Sequence, residues 1–177
     1  MTKSFVSPSC DDIILDVGCG DGYQIGYMAG EVDFAVGVDL SLKGLTIAKR
    51  KAISCEFVRA DCNSLPFRNG TFSKIMCLEV LEHLEQTEKS VYEIGRCLKE
   101  GGSLVVSVPY REPGTSAVRY GHLHVFDEDK ILGLMPKKYE LLRHEHFLNT
   151  PFGHPIFRFL PFRIWRALNK IGWRKGY

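Results

Sequence analysis

A short apolar run that leads at once into closely spaced glycines is the feature that most constrains this chain. Residues 12–17 read DIILDV, and residues 18–22 read GCGDG. Glycines at alternate positions allow a sharp turn and let a ligand approach the backbone with no Cβ in the way. A helix predicted from Tyr23 would then present its free N–H groups to that ligand. The alternative is a turn with a purely structural role.

Alternating apolar runs and helical patterns predict an α/β fold: a Rossmann-like, doubly wound, mostly parallel sheet flanked by helices. The length of 177 residues fits one domain, predicted over residues 1–150. Gly101 and Gly102 are expected to end the helix predicted at 87–98, as C-terminal glycines often do. Strands are predicted at 12–17, 34–38, 55–58, 72–78, 103–108 and 139–147, and helices at 23–29, 42–51, 87–98 and 127–134.

Three acidic residues, Asp16, Asp39 and Asp61, lie at the predicted strand ends, where ligands bind in such sheets. A dinucleotide fingerprint would require glycine or alanine where Tyr23 stands, and Asp16 would repel a pyrophosphate. Asp16 would instead suit a ligand that carries an ammonium group and a sulfonium. Asp39 can accept hydrogen bonds from both ribose hydroxyls, although it could also be a helix N-terminal charge near Ser41. Asp61 can accept from an adenine amine, and the backbone N–H of Cys62 can face the ring.

Five segments together resemble the successive motifs of class I S-adenosylmethionine-dependent methyltransferases: ILDVGCGDG, VGVDLS, VRADCNSLPF, FSKIMCLEVLEHL and LKEGGSLVVSVP. The resemblance covers residues 10–147 and is greatest to the small-molecule branch that includes the ubiquinone and menaquinone biosynthesis enzymes. It implies that S-adenosylmethionine is the cofactor, with Leu78 and Glu79 beside the sulfonium. The cofactor contacts implied by the resemblance are Asp16, Gly18, Cys19, Gly20 and Gly22 for the methionine part, Asp39 and Leu40 for the ribose, and Asp61 and Cys62 for the adenine.

Glu79, Glu82 and His83 follow the fourth predicted strand and leave three interpretations open. They could be helix N-terminal acids beside a packed histidine. Glu79 or His83 could remove a proton from the acceptor, and a helix would place these two residues on one face. All three could hold a divalent metal, but a sequence cannot show that they converge. Glu79 and His83 are therefore predicted to be catalytic, and no metal is predicted.

The loop predicted from Tyr110 onward follows the fifth strand and would overhang the same edge of the sheet. Tyr110, His122 and His124 are candidate substrate contacts, and the two histidines would face the same way if the chain is extended. No Asn-Pro-Pro-Tyr or Asp-Pro-Pro-Tyr follows the fourth strand, which disfavours amino-group methylation of adenine or glutamine. No RNA-binding module is visible, so the sequence predicts a small-molecule or lipid-like substrate and no nucleic acid.

Residues 151–177 form a basic, aromatic tail after the last acidic residue, Glu145. An amphipathic helix within 156–175 would suit peripheral contact with a membrane surface. The alternative, which the sequence slightly favours, is a helix that packs its apolar face on the domain or on a second subunit; the oligomeric state is not predicted. No strand is evident after Phe147 and no helix before residue 12, so the sheet is expected to lack the usual final antiparallel strand.

Composition sets the remaining expectations. The six cysteines include no C-x-x-C pair, which favours reduced thiols and a cytoplasmic protein. The sequence favours a methyltransferase acting on a small organic or lipid-like acceptor, with oxygen as the preferred atom. The alternative is a catalytically silent cofactor-binding subunit or membrane-surface protein. A dinucleotide oxidoreductase is disfavoured by Tyr23 and Asp16.

Overall fold

The computed structural model describes residues 2–109, 121–137, 139–147 and 154–161. Two single-turn 3₁₀ helices, Ala29–Glu31 and Leu81–His83, accompany the regular elements. In chain order these are α1 (Thr2–Val6), β1 (Ile13–Val17), α2 (Tyr23–Met28), β2 (Phe34–Asp39), α3 (Leu42–Lys51), β3 (Glu56–Arg59), β4 (Phe72–Leu78), α4 (Thr87–Cys97), β5 (Leu98–Ser107), α5 (Glu128–Leu134), β6 (Tyr139–Phe147) and β7 (His154–Pro161).

The strands form one seven-stranded sheet in the order β3-β2-β1-β4-β5-β7-β6. Strands β1 to β5 are parallel, whereas β7 runs antiparallel to both β5 and β6. The chain proceeds outward from β1 in one direction and from β4 in the other, so the carboxyl ends of β1 and β4 flank the point where strand order reverses. Ligands bind at such a point in open α/β sheets. The predicted fold class is confirmed.

Alternation along the strands separates two apolar clusters, one on each face of the sheet. Leu15, Ile75 and Leu104 belong to one cluster, while their neighbours Ile14, Met76 and Val105 belong to the other. All six cysteines are unpaired, as expected, and four of them are buried. None of the helices in the described part of the chain has the length and apolar character needed to cross a membrane.

Three sequence expectations about the elements are corrected. A short helix, α1, precedes the first strand and buries Phe5 and Val6. Gly101 and Gly102 do not end α4; they lie inside β5, which begins directly after Cys97. Residues 154–161 form β7, so the final antiparallel strand is present and the sheet extends past residue 150. The predicted helix within 156–175 therefore does not include residues 156–161, and residues 162–175 lie outside the described residues.

Candidate functional site

The turn between β1 and α2 contains three glycines with left-handed backbone angles. The φ angles of Gly18, Gly20 and Gly22 are 74°, 54° and 76°, a region that side chains with a Cβ rarely adopt. A Cβ at Gly18 would lie 2.3 Å from Cγ2 of Val80, whereas a Cβ at Gly20 would meet no atom within 4 Å. Gly20 therefore borders open space beside the turn. Gly18 is required by close packing against the segment after β4.

Asp39, at the end of β2, joins this turn to the start of α3. Its Oδ2 accepts from the backbone N–H of Gly20 at 2.8 Å, and its Oδ1 accepts from that of Ser41 at 2.7 Å. Ser41 in turn caps α3 by accepting from the backbone N–H of Gly44. Leu40 is 57% exposed beside it. Asp39 thus lies at the carboxyl edge of the sheet and next to the start of α3, a position compatible with both sequence interpretations.

Asp16 lies one residue before the end of β1 and is buried, with 3% of its surface exposed. Burial raises its pKa to about 8, and the nearby charge of Asp39 contributes in the same direction. Cys19, in the turn, is also buried, and burial raises the pKa of its thiol. The thiol is therefore neutral and packed, whereas the carboxyl of Asp16 ionises readily only beside a positive charge.

The loop after β3 is held by α4, a contribution that the sequence interpretation did not include. Asp61 is exposed, and its Oδ1 accepts from the N–H of Asn63. Cys62 is buried with its Sγ 3.5 Å from Oγ of Ser90.

The following residues of the loop are held by an ion pair on α4. Arg96 donates to the carbonyl oxygens of Leu65 and Phe67 and to Oδ1 of Asn69. Glu93 accepts from Arg96 and from the N–H of Leu65. Ser90, Glu93 and Arg96 stand at three-residue spacing, which could have indicated that one helix face binds this loop.

Glu79 follows β4 and Leu78 in a left-handed conformation, with φ at 56°. Its N–H donates to the carbonyl of Ser107, and Oγ of Ser107 donates to its Oε1 at 2.7 Å. Residues Leu81–His83 form a 3₁₀ turn rather than the start of an α-helix. The expectation that Glu79 and His83 share one helix face is therefore wrong; the carboxylate is held instead at the end of β5.

Glu82 and His83 lie on this 3₁₀ turn, next to the segment that returns after residue 120. Glu82 is 1% exposed, and burial raises its pKa to about 8, with the charge of Glu79 acting in the same direction. Nδ1 of His83 lies 3.2 Å from the carbonyl oxygen of Gly121. Since that oxygen can only accept, Nδ1 carries the proton, and Nε2 of the neutral ring is left as an acceptor.

The two histidines of the returning segment contact different neighbours. The ring of His122 packs edge-on against His83, with 4.9 Å between centroids. His124 places Nε2 2.7 Å from the carbonyl oxygen of Leu84 and its ring near Phe126. The structure thus brings His122, but not His124, to the Glu82–His83 group. Tyr110 lies outside the described residues.

A family model described as a methyltransferase domain matches residues 15–106, more than half of the chain. The phosphoethanolamine N-methyltransferase 1 of Triticum aestivum is 33% identical over 127 residues, which are 67% of this chain and 26% of that protein. The ubiquinone biosynthesis O-methyltransferase of Thiobacillus denitrificans is 31% identical over 137 residues, 74% of this chain and 56% of that protein. The chain thus spans between about a quarter and a half of these relatives.

Solved structures share the fold at low sequence identity. An S-adenosylmethionine-dependent methyltransferase from Mesorhizobium loti has a TM-score of 0.75 at 16% identity, covering 89% of this chain and 94% of its own. A [4+2]-cyclase, SpnF, has a TM-score of 0.76 at 19% identity, covering 90% and 78%. Similarity to the second protein shows why the fold alone does not establish a reaction. The match over residues 15–106, together with the glycine turn and the acidic residues at the strand ends, shows that the chain belongs to the methyltransferase domain family.

Proposed function

We propose that this protein transfers a methyl group from S-adenosylmethionine to a hydroxyl or phenol oxygen of a small organic or lipid-like acceptor. The observation that carries the proposal is the grouping at the carboxyl edge of the sheet. The open side of Gly20 and the carboxylate of Asp39 adjoin the end of β1, while Glu79 and His83 follow β4 across the point where strand order reverses.

The residues present fit the cofactor. Each oxygen of Asp39 accepts one backbone N–H, and a carboxylate oxygen can accept a second hydrogen bond, here from a ribose hydroxyl. The ammonium group of the cofactor would supply the positive charge that buried Asp16 needs in order to ionise. In this proposal Gly18, Cys19, Gly20 and Gly22 border the methionine part, Leu40 the ribose, Asp61 and Cys62 the adenine, and Leu78 the sulfonium.

The bound cofactor supplies an electrophilic methyl group on sulfur, and the protein aligns the acceptor oxygen with it. Alignment alone can lower such a barrier by about 7–11 kcal/mol in favourable cases. An oxygen acceptor must also lose its proton, and Nε2 of His83 can accept that proton in the tautomer whose Nδ1 donates to Gly121. Glu79, held by Ser107, would lie at the same carboxyl edge of the sheet.

The acceptor class rests on the relatives and on the chain's own residues. The relatives named above methylate a nitrogen and an oxygen, and a sterol 4-C-methyltransferase of Caenorhabditis elegans is 35% identical over 105 residues. Relatedness therefore supports a small acceptor without choosing the atom. A hydroxyl or phenol is proposed because proton removal gives a function to His83.

Two further proposals, contact with a membrane surface and a cytoplasmic location, are supported only by the sequence. Residues 156–161 belong to β7, so a membrane-binding helix would have to begin after Pro161. Sedimentation with vesicles of anionic lipid, comparing the full chain with a chain that ends at Pro161, tests this contact. Sedimentation of both chains to the same extent would contradict it.

A calorimetric titration with S-adenosylmethionine, S-adenosylhomocysteine and NAD tests the cofactor assignment first. We expect micromolar binding of the two sulfur compounds and none of NAD. A screen with methyl-labelled cofactor against phenols, hydroxy acids and amines then tests the acceptor, with His83→Asn expected to lower turnover of oxygen acceptors alone. Folded protein that binds neither sulfur compound would refute the proposal. Binding without turnover of any acceptor would favour the catalytically silent alternative.

A further inference from the structure

Glu82, His83 and His122 form a compact group of side chains that the methyl-transfer proposal uses only in part. One ligand-type atom from each residue lies within 4.8 Å of the others, although the residues come from two segments. Glu82 and His83 belong to the 3₁₀ turn after β4, and His122 belongs to the segment that returns toward α5. The grouping is therefore a product of the tertiary structure.

Glu82 is the buried member of the group. Only 1% of its surface is exposed, and no donor in the described part of the chain lies within hydrogen-bonding distance of its Oε2. Burying a carboxylate oxygen without a partner is unfavourable, and buried acidic groups are normally paired or bound to a metal. A cation placed between Glu82 and the two imidazoles would supply that partner.

His83 is oriented as a metal ligand would be. Its Nδ1–H donates to the carbonyl oxygen of Gly121, and its Nε2 lies 3.9 Å from Oε1 of Glu82. Metal-binding histidines generally donate their second ring N–H to a carbonyl or carboxylate, which directs the lone pair of the other nitrogen at the metal. The gap of 3.9 Å is too long for a direct hydrogen bond.

Backbone hydrogen bonds hold the two segments together. The N–H groups of Leu123 and His124 both donate to the carbonyl oxygen of Glu82, at 2.7 and 3.2 Å. Glu79 is engaged separately, since its Oε1 accepts from Ser107. His122 is thereby kept beside His83, and the group is positioned before any ion arrives.

We propose that Glu82 and the imidazoles of His83 and His122 bind one divalent first-row transition-metal cation at this edge of the sheet. Two imidazoles and one carboxylate are ligands typical of Zn²⁺ and Co²⁺, whereas Mg²⁺ and Ca²⁺ prefer oxygen ligands alone. Three protein ligands leave coordination positions open for water or an acceptor oxygen. When the metal is bound, His83 is a ligand and does not accept the proton of the methyl acceptor. Only this statement about proton transfer rests on the proposed function.

The test is a titration of chelator-treated full-length protein with Co²⁺, followed by visible absorption and by calorimetry. We expect one equivalent to bind, with the ligand-field bands of a low-coordinate site, and Zn²⁺ to displace it. Glu82→Gln, His83→Asn and His122→Asn should each raise the Kd at least about 10- to 100-fold, the loss typical even for an outer-shell partner. Competition by Mg²⁺ as effective as that by Zn²⁺ would overturn the assignment to a transition metal.

Two control variants match these changes in chemistry. Glu85→Gln removes an exposed carboxylate three residues away, and His124→Asn removes an imidazole whose Nε2 lies against the carbonyl of Leu84. Both should bind Co²⁺ as the parent does. Parent protein that takes up no Co²⁺, or ligand variants that bind it like the controls, would overturn the proposal. His83 is about half-exposed, so His83→Asn keeps the test decisive even if Glu82→Gln fails to fold.

Binding of S-adenosylhomocysteine, measured on the same samples, separates this proposal from the preceding one. Co²⁺ uptake without S-adenosylhomocysteine binding would leave the metal site standing and remove the methyltransferase function. The reverse result would remove the metal site and leave His83 available as the proton acceptor.

Discussion

Gly18 and Gly20 share a left-handed conformation but differ in what surrounds them. A Cβ at Gly18 would meet Val80 at 2.3 Å, while a Cβ at Gly20 would enter open space. We expect Gly18→Ala to lower the melting temperature strongly, because it adds a clash to backbone strain. Gly20→Ala should add strain of only about 1–2 kcal/mol and still fold, but should lose affinity for S-adenosylmethionine. Thermal unfolding and calorimetry of both variants check this; equal melting temperatures would contradict the distinction.

Asp39 combines support of the turn with the proposed ribose contact. We expect Asp39→Ala to weaken binding of S-adenosylhomocysteine by about 2–4 kcal/mol, because charge-assisted hydrogen bonds are lost. Asp33→Ala is the matched control, since it removes an exposed carboxylate before the other end of β2. Calorimetry of the two variants makes the comparison. Unchanged affinity in Asp39→Ala would remove the ribose assignment.

Asp16 should make the cofactor-free protein less stable as the pH rises. Burial raises its pKa from 3.8 to about 8, so the folded state holds the proton more tightly than the unfolded state does. This contribution to stability is complete below about pH 4 and is lost progressively until the pH passes about 8. Asp16→Asn should therefore gain stability relative to the parent between these limits, by more than about 1.4 kcal/mol.

Urea unfolding of the parent and of Asp16→Asn from pH 4 to 9, without cofactor, measures this difference. The variant should also bind S-adenosylmethionine more weakly, because it offers no negative charge to the ammonium group. Asp33→Asn, an exposed carboxylate, should follow the parent at every pH. Parallel stability curves for the parent and Asp16→Asn would show that Asp16 is not the titrating group.

At the scale of elements, α4 positions the loop that carries Asp61 and Cys62. Arg96 donates to three oxygens of residues 65–69, so we expect Arg96→Met to destabilise the protein by about 1–3 kcal/mol. Hydrogen–deuterium exchange should become faster across residues 61–70, and S-adenosylhomocysteine should bind more weakly. Lys89→Met, on the exposed side of the same helix, should change neither the exchange rates nor the affinity for S-adenosylhomocysteine. Unaltered exchange in Arg96→Met would show that the loop does not depend on α4.

The junction of α4 and β5 shows why local signals misplaced an element boundary. Gly101 and Gly102 resemble a helix end, yet they lie within β5 and face an irregularity in its pairing with β4. A Cβ at Gly102 would lie 2.6 Å from the carbonyl oxygen of Ser73 and 2.7 Å from Leu98. Glycine is needed there because two strands approach closely, a contact that residues nearby in sequence cannot reveal.

At the scale of the whole molecule, β7 completes the sheet by pairing with β5 on one side and β6 on the other. A chain that ends at residue 153 should therefore aggregate, because it exposes one edge of β5 and removes the strand that pairs with β6. A chain that ends at Pro161 keeps β7 and should remain folded and bind S-adenosylhomocysteine. Size-exclusion chromatography and circular dichroism of the two truncations check this. A folded, monomeric shorter chain would show that β7 is dispensable.

The sequence alone determined the parallel part of the sheet and the residues along its carboxyl edge. Alternating apolar runs and the glycine spacing of residues 18–22 are local patterns, and the backbone angles of Gly18, Gly20 and Gly22 agree with them. Strands β4 and β6 and helix α3 begin and end where they were predicted. Asp39 reaches the glycine turn, since parallel strands bring their carboxyl ends to one edge.

Only the tertiary structure decided the position of β7 and the grouping of Glu82, His83 and His122. The basic and aromatic residues of the segment that forms β7 also fit an amphipathic helix, and the segment becomes a strand because β5 and β6 offer unpaired backbone groups on both sides. His122 is 39 residues from His83, and hydrogen bonds to the carbonyl of Glu82 bring its segment there. Long-range pairing of backbone groups depends on the assembled sheet, which no local pattern of residue types encodes.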